Sequence, residues 1–352
     1  MTHVLLVADE VEPAYGSAAL LSIAFVAVLV LLFLIMKLKL HAFVALILVS
    51  FLTALATKIP FAEVVPTMLT GFGNTLASVA LLVGLGAMIG RLLEVTGGAQ
   101  VLADTLVNRF GEKRAPLALG VASLLFGFPI FFDAGLVVML PIIFSVARRF
   151  GGSVLTYALP AAGAFAVMHA FVPPHPGPVA AGELLGADLG LVLVMGLLIG
   201  LPTWYLSSYL FGLWAGRRVH IPVPELLSGA DVEEGAGENA PSFGLVLSVL
   251  LLPLALIFLN TGLNTLATQG TIDGEATWVS VLRMVGQTPV ALLITVLFAT
   301  VALGWARRSR ADVEQILNSA LAPVCAIILI TGAGGMFGGV LRASGIGQAL
   351  AG

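Results

Sequence analysis

Charge is what this sequence has least of. Only 10% of its 352 residues are Asp, Glu, Lys or Arg, against roughly 25% in a soluble globular domain, so no polar shell exists to cover a water-soluble core. Cysteine is limited to Cys325. That excludes an internal disulfide, and within an apolar run it reads as a small core residue that says nothing about compartment. A net charge of −3 does not point to nucleic acid, because the basic residues stand at the ends of apolar runs and form no patch. Neither an HExxH pair nor a cysteine cluster occurs, and the histidines have no third ligand at a known spacing, so no metal is expected. No cofactor is implied. The N-terminus carries Asp9, Glu10 and Glu12 where a secretory signal would be basic, so no cleaved signal is expected.

What fills the space is apolar. Hydrophobic residues make up 59% of the chain, the mean hydropathy is +1.08, and runs near the ~20 residues needed to cross a bilayer recur with little polar material between them. This is an all-α, polytopic membrane protein with no extramembrane catalytic domain. The first runs cover about 18–36 and 39–57, joined by Lys37, Lys39 and His41. The preference of Lys and Arg for the cytoplasm puts that joint inside and the N-terminus outside. Residues 58–72 return to the outer side, and a glycine-studded segment from about 73 to 93 crosses inward to Arg91 and the basic loop of Arg109, Lys113 and Arg114. The run 115–147 is too long for one ordinary crossing of ~20 residues. It is a re-entrant hairpin or two short helices, turning near Phe128-Pro129-Ile130-Phe131-Phe132-Asp133. Segments at about 154–172 and 188–213 follow, ending at Arg217, Arg218 and His220. The acidic stretch with Glu225, Asp231, Glu233, Glu234 and Glu238 reads as a solvated cytoplasmic loop.

After that loop the pattern starts again, with runs at about 243–262 and 287–305, the cluster Arg307, Arg308 and Arg310, and a glycine-rich segment at 320–341. A shift of 248 positions lays Gly84, Gly86, Met88, Gly90, Leu93, Gly97 and Gln100 over Gly332, Gly334, Met336, Gly338, Leu341, Gly345 and Gln348. Basic residues follow opposite members of the two halves, which predicts repeats inverted in the membrane. The expected organisation is a first repeat over 1–216, a cytoplasmic linker over 217–242 and a second repeat over 243–352. The second repeat has no counterpart of the acid turn or of the proline cluster described next. It is therefore expected to be truncated, lacking about a hundred residues by the same repeat logic.

The residues from Met168 to Pro178 put four prolines and two histidines into eleven positions between apolar runs. Proline removes amide donors and drives the preceding residue out of the helical region, so a helix arriving through Phe171 should unwind at Pro173-Pro174 and expose carbonyls. Unpaired backbone in lipid costs several kcal/mol, so such a break has to face water or a ligand. Transporters build binding sites from breaks of this kind, which makes Pro173, Pro174, His175 and Gly177 candidates for holding substrate. Asp133 is the only acid within 115–147, and an intramembrane acid points to proton traffic. It could equally cap a helix start beside headgroup water. His169 and His175 titrate near neutrality and suit proton coupling, although a histidine in an apolar helix also serves as packing. Gly84, Gly86 and Gly90 allow close helix packing or the approach of backbone to substrate. Asn74, Thr75 and Ser123 are weaker candidates for reading hydroxyl groups.

Gly84-Leu85-Gly86-Ala87-Met88-Ile89-Gly90-Arg91-Leu92-Leu93 with Gly97-Gly98-Ala99-Gln100, then Phe131-Phe132-Asp133-Ala134-Gly135, and above all His169 to Pro178, resemble the gluconate permease family, gluconate:proton symporters of bacterial inner membranes. The likeness runs from about residue 20 to the end. It implies a multi-pass inner-membrane protein of the wider ion-transporter group, importing gluconate or a related small hydroxy-carboxylate with a proton, by an elevator-like motion. A homo-oligomer is left open. The resemblance agrees with the expectation of truncation, because family members continue beyond the matched part. Asp133 stands where several relatives have a glutamate, so an acid is kept. Within the same class, D-serine, fructuronate or glycerate are alternative substrates. An intramembrane hydrolase using His169, His175 and Asp133 would need a nucleophile or metal triad that the sequence does not supply. An inert fragment is the remaining alternative.

Overall fold

The computed structural model describes residues 14–223 and 240–351. The acids Asp9, Glu10 and Glu12, and the linker acids Glu225, Asp231, Glu233, Glu234 and Glu238, lie outside the described residues. Among those described, every regular element is helical, as the composition predicts. In chain order the helices are α1 (Ser17–Met36), α2 (Ala42–Ala56), α3 (Phe61–Val95), α4 (Gly98–Phe110), α5 (Ala115–Phe126), α6 (Phe132–Phe150), α7 (Leu155–Phe171) and α8 (Pro176–Leu184). They continue as α9 (Leu189–Trp204), α10 (Phe211–Arg218), α11 (Phe243–Thr268), α12 (Thr277–Gly286), α13 (Thr288–Ala299), α14 (Arg310–Ala343) and α15 (Ile346–Ala351). A π-turn over Tyr205–Leu210 joins α9 to α10, and another over Thr300–Trp305 extends α13. Seven of the described helical stretches are long and apolar enough to cross a membrane, among them Leu155–Leu184, which carries the proline break within it.

Local sequence explains most boundaries. The 115–147 run divides where Gly127 and Pro129 interrupt it, giving α5 and α6 as the length of the run requires. α7 stops at Phe171 because Pro173 follows, and α8 begins with Pro176, whose fixed φ suits the first helical turn. One expectation needs correction. Residues 58–72 are not a segment separate from the 73–93 run, because α3 begins at Phe61 and continues through both despite Pro66. Their apolar residues are spaced for a helix: Val64 and Met68 are buried, while Phe61, Val65 and Leu69 face outward. At 1.5 Å per residue the 35 residues of α3 extend about 50 Å. Cys325 is a second correction. It is exposed, not a core residue, because the apolar surface of a membrane helix can face lipid as readily as protein.

The described residues divide into two compact units, one of residues 14–80 with 325–351 and the other of residues 81–223 with 240–324. In the first unit α1 packs on α2 and on α15. There α3 and α14 cross at small residues: a side chain at Gly71 would meet the Gly335 backbone, and one at Gly339 would lie 3.1 Å from the Gly71 Cα. Val64, Met68, Met336 and Val340 fill the space beside that crossing.

The second unit is built around α7, which packs on α5, α6, α9 and α10. Phe165 of α7 meets Phe126 edge to face at 6.3 Å. Its ring occupies the space that side chains at Gly127 and Gly135 would need, so the α5–α6 hairpin closes on α7 through two missing side chains. On the opposite side Trp204 donates its indole N–H to the Pro160 carbonyl at 2.8 Å. Gly196 of α9 lies directly against the Phe171 carbonyl oxygen, at the last residue of α7 before the break. Because that neighbour is backbone, Gly196→Ala is expected to lower stability by about 1–3 kcal/mol, read as a fall in the apparent Tm in detergent. Gly262→Ala, on an open face of α11 with nothing near the added methyl, should be neutral or stabilising by up to about 1 kcal/mol.

Candidate functional site

The two interruptions of helix in the second unit meet each other. One is the turn 127–131 between α5 and α6, and the other is the turn 172–175 between α7 and α8. Val172, Pro173, Pro174, His175 and Pro176 are all buried, and the Pro173–Pro174 peptide is cis. The break is thus packed within its unit and not spread in bulk water.

His175 supplies the polar contacts. Its side chain is 3% exposed. Nδ1 lies 2.9 Å from the Val172 carbonyl oxygen of its own turn, and Nε2 lies 3.1 Å from the Ile130 carbonyl oxygen of the other turn. The sequence argues for water or ligand at these carbonyls; the fold gives two of them to an imidazole. α3 closes the arrangement through absent side chains. A Cβ at Gly86 would sit 3.3 Å from Pro174 Cγ and 3.6 Å from the Pro129 oxygen, and one at Gly90 would sit 3.1 Å from Ile130 Cβ. Gly86 of the repeated glycine pattern, Pro174 of the proline cluster and the turn of the acid hairpin therefore converge as backbone-level contacts.

His169, in the last turn of α7, stands beside this junction. Its ring lies 4.9 Å from that of His175 and 5.8 Å from that of Phe131. Its Nδ1 is buried with no hydrogen-bond partner. The Asp133 carboxylate is close enough to act electrostatically on it. Asp133 itself is exposed in the first turn of α6, so the protein does not bury it. It holds instead the alternative position at a helix start, where the dipole favours a carboxylate. Ser123 of α5 is fully buried with no partner for its hydroxyl. Gly84 is buried, and a side chain there would touch only Leu321. Gly177 is exposed at the start of α8, with nothing within 4 Å of an added Cβ. Asn74 and Thr75 belong to the first unit, where Asn74 is exposed and Thr75 is buried against Gly335.

Both α6 and α8 begin immediately after a break, and neither has a side chain capping its first turn. The leading N–H groups of α6, and in α8 that of Gly177 alone because Pro176 and Pro178 have none, lie at the positive end of the helix dipole, which suits an anionic group. Among the described residues no set of three His, Cys, Asp or Glu side chains could hold a metal ion. Sequence reading missed the Ile130 carbonyl and the Phe131 ring as parts of this junction. The one available signal was Pro129, which marks the turn but not its partner.

The geometry separates the two histidines by their contacts. His175→Phe keeps a ring but removes both nitrogens, leaving the Ile130 carbonyl without the imidazole and the Val172 carbonyl with only the residue 175 backbone N–H, and should cost about 1–3 kcal/mol. His169→Phe removes no side-chain hydrogen bond made among the described residues and should cost less; thermal denaturation of the two variants in the same detergent compares them.

The sequence pattern of the GntP family permeases matches residues 19–352. The inner membrane permease YgbN of Escherichia coli K12 is 39% identical over 349 residues, covering 96% of this chain and 75% of that protein. A protein named gluconate permease from Pseudomonas aeruginosa is 36% identical, covering 95% of this chain and 73% of its own length. One of the same name from Bacillus subtilis is 37% identical, covering 92% and 73%. The family and these relatives are named for transport, not for catalysis. Taken with seven apolar helical stretches of spanning length among the described residues, the match across residues 19–352 identifies the chain as a multi-pass membrane protein of the GntP permease family.

Proposed function

We propose that this chain carries gluconate, or a related small hydroxy-carboxylate, across the bacterial inner membrane by symport with a proton. The observation that carries the reading is the meeting of the turns 127–131 and 172–175 at Gly86, with two uncapped helix starts beside it. A carboxylate is received by the leading N–H groups of α6 and by the Gly177 N–H of α8, and a polar group such as Ser123 reads a hydroxyl. Pro173, Pro174, Gly84, Gly86 and Gly177 shape the backbone around the substrate. Asp133, His169 and His175 are the groups through which a proton passes. The names of relatives from Pseudomonas aeruginosa and Bacillus subtilis support gluconate.

A second reading within the class keeps the mechanism and changes the cargo to D-serine, fructuronate or glycerate. The two-repeat organisation, with a linker over 217–242 between repeats of opposite orientation, belongs to the same proposal. Its support is the glycine pattern recurring at a shift of 248 positions.

The test is uptake of labelled gluconate by proteoliposomes under an inward proton gradient. The expected result is accumulation several-fold above that without a gradient, abolished by a protonophore, with competition by unlabelled gluconate exceeding that by D-serine, fructuronate or glycerate. Accumulation indifferent to the gradient would refute symport, and stronger competition by one of the other carboxylates would reassign the substrate. Asp133→Asn should reduce gradient-driven uptake at least tenfold, the scale of about 1.4 kcal/mol, while substrate exchange without a gradient persists.

A further inference from the structure

We infer that His175 is where the coupled proton resides, and that this proton is what bonds the 172–175 turn to the 127–131 turn. The inference rests on the symport reading above and assigns its proton to one ring. Both ring nitrogens of His175 face carbonyl oxygens, at 2.9 Å for Val172 and 3.1 Å for Ile130. A carbonyl oxygen only accepts. A neutral imidazole has one N–H, so one of the two contacts then sets lone pair against lone pair at hydrogen-bond distance. An imidazolium donates from both nitrogens and satisfies both carbonyls.

The two acceptors are not equivalent. Val172 belongs to the same turn as His175, and its carbonyl also accepts the His175 backbone N–H at 3.3 Å. Ile130 lies 45 positions away in the other turn. A neutral ring that donates from Nδ1 secures its own turn and offers Ile130 nothing. Adding a proton to Nε2 creates one charge-assisted bond between the turns.

The surroundings oppose a permanent charge. His175 is buried, no carboxylate among the described residues touches it, and the titratable side chain whose charge acts on it is His169 of α7. α6 contributes Asp133, whose charge acts on His169, and α3 brings Gly86 and Gly90 to the turns. The proton is therefore held while both carbonyls are in place, and is released when the Ile130 contact opens. Proton affinity and contact between the turns are two sides of one equilibrium, and each shifts the other by the same factor. The proton comes from water, forms the second N–H bond on His175, and returns to water when that bond is broken. His169, whose Nδ1 has no partner among the described residues, feels the Asp133 charge and stacks edge to face with the His175 ring.

Two measurements on the full chain in lipid nanodiscs, with no transport required, test this. Ring-nitrogen NMR of 15N-histidine-labelled protein, assigned by single substitutions, should show His175 doubly protonated at low pH and losing one proton as pH rises. Amide exchange of Gly127, Phe128, Ile130, Phe131, Val172 and His175, the residues of the two turns that carry an N–H, corrected for its intrinsic pH dependence, should be about tenfold slower in the doubly protonated state, the worth of one charge-assisted hydrogen bond. His175→Gln should lose that pH dependence, and His169→Gln should keep it. A singly protonated His175 across the range, or exchange that follows pH equally in His175→Gln, overturns the inference; should His175→Gln fail to fold, the wild-type NMR decides. Failure of gluconate uptake with pH-linked exchange intact would sink the symport reading alone. Proton-driven uptake with a His175 that never takes a second proton would sink this inference alone.

Discussion

A backbone that leaves the helix inside an apolar stretch has carbonyls that lipid cannot satisfy, and the rest of this structure follows from how those groups are met. Each orphaned carbonyl in hydrocarbon costs several kcal/mol, so the break at Pro173-Pro174 persists only because something polar is packed against it. That partner is His175, which reaches the Val172 carbonyl of its own turn and the Ile130 carbonyl of a turn far away in sequence. One side chain thus joins two interruptions of helix.

Close approach is the second requirement, and missing side chains provide it. Gly127 and Gly135 let the Phe165 ring enter the α5–α6 hairpin, Gly196 admits the carbonyl at the end of α7, and Gly86 and Gly90 bring α3 against Pro174 and Ile130. These glycines are spent on contact, since all five lie in or beside helices that must approach a neighbour. The result is a junction with backbone carbonyls, an imidazole with an unpartnered nitrogen and two uncapped helix starts within a few residues of one another. Such a junction has the chemistry for an anion and a proton.

Much of this was legible in the sequence. Composition and run lengths point to an all-α membrane chain, the over-long run at 115–147 predicts a re-entrant hairpin or two short helices turning near Phe128 to Asp133, and the proline cluster predicts the end of α7. What was not legible has identifiable physical causes. The segment 58–72 reads as separate from the glycine-studded run after it, but Val64 and Met68 pack inward and α3 runs unbroken through Pro66. The burial of Asp133 depended on where the hairpin turns, and the turn places it one position into α6 with its carboxylate exposed. The proline break singles out His175 but does not supply Ile130 as its partner, because a carbonyl contact 45 positions away leaves no trace in residue type. The resemblance carried by His169 to Pro178 named the family, and the match over residues 19–352 agrees with it.

The central claim, that the break between α7 and α8 faces the transported anion, is tested most directly by chemical protection at Gly177. The chain has one cysteine, so Gly177→Cys in a Cys325→Ser background places a single thiol at an exposed position with open space around it. Gluconate should slow its labelling by a water-soluble maleimide in proportion to occupancy, and a structurally unrelated anion should not. Labelling at the same rate with and without saturating gluconate would contradict the account.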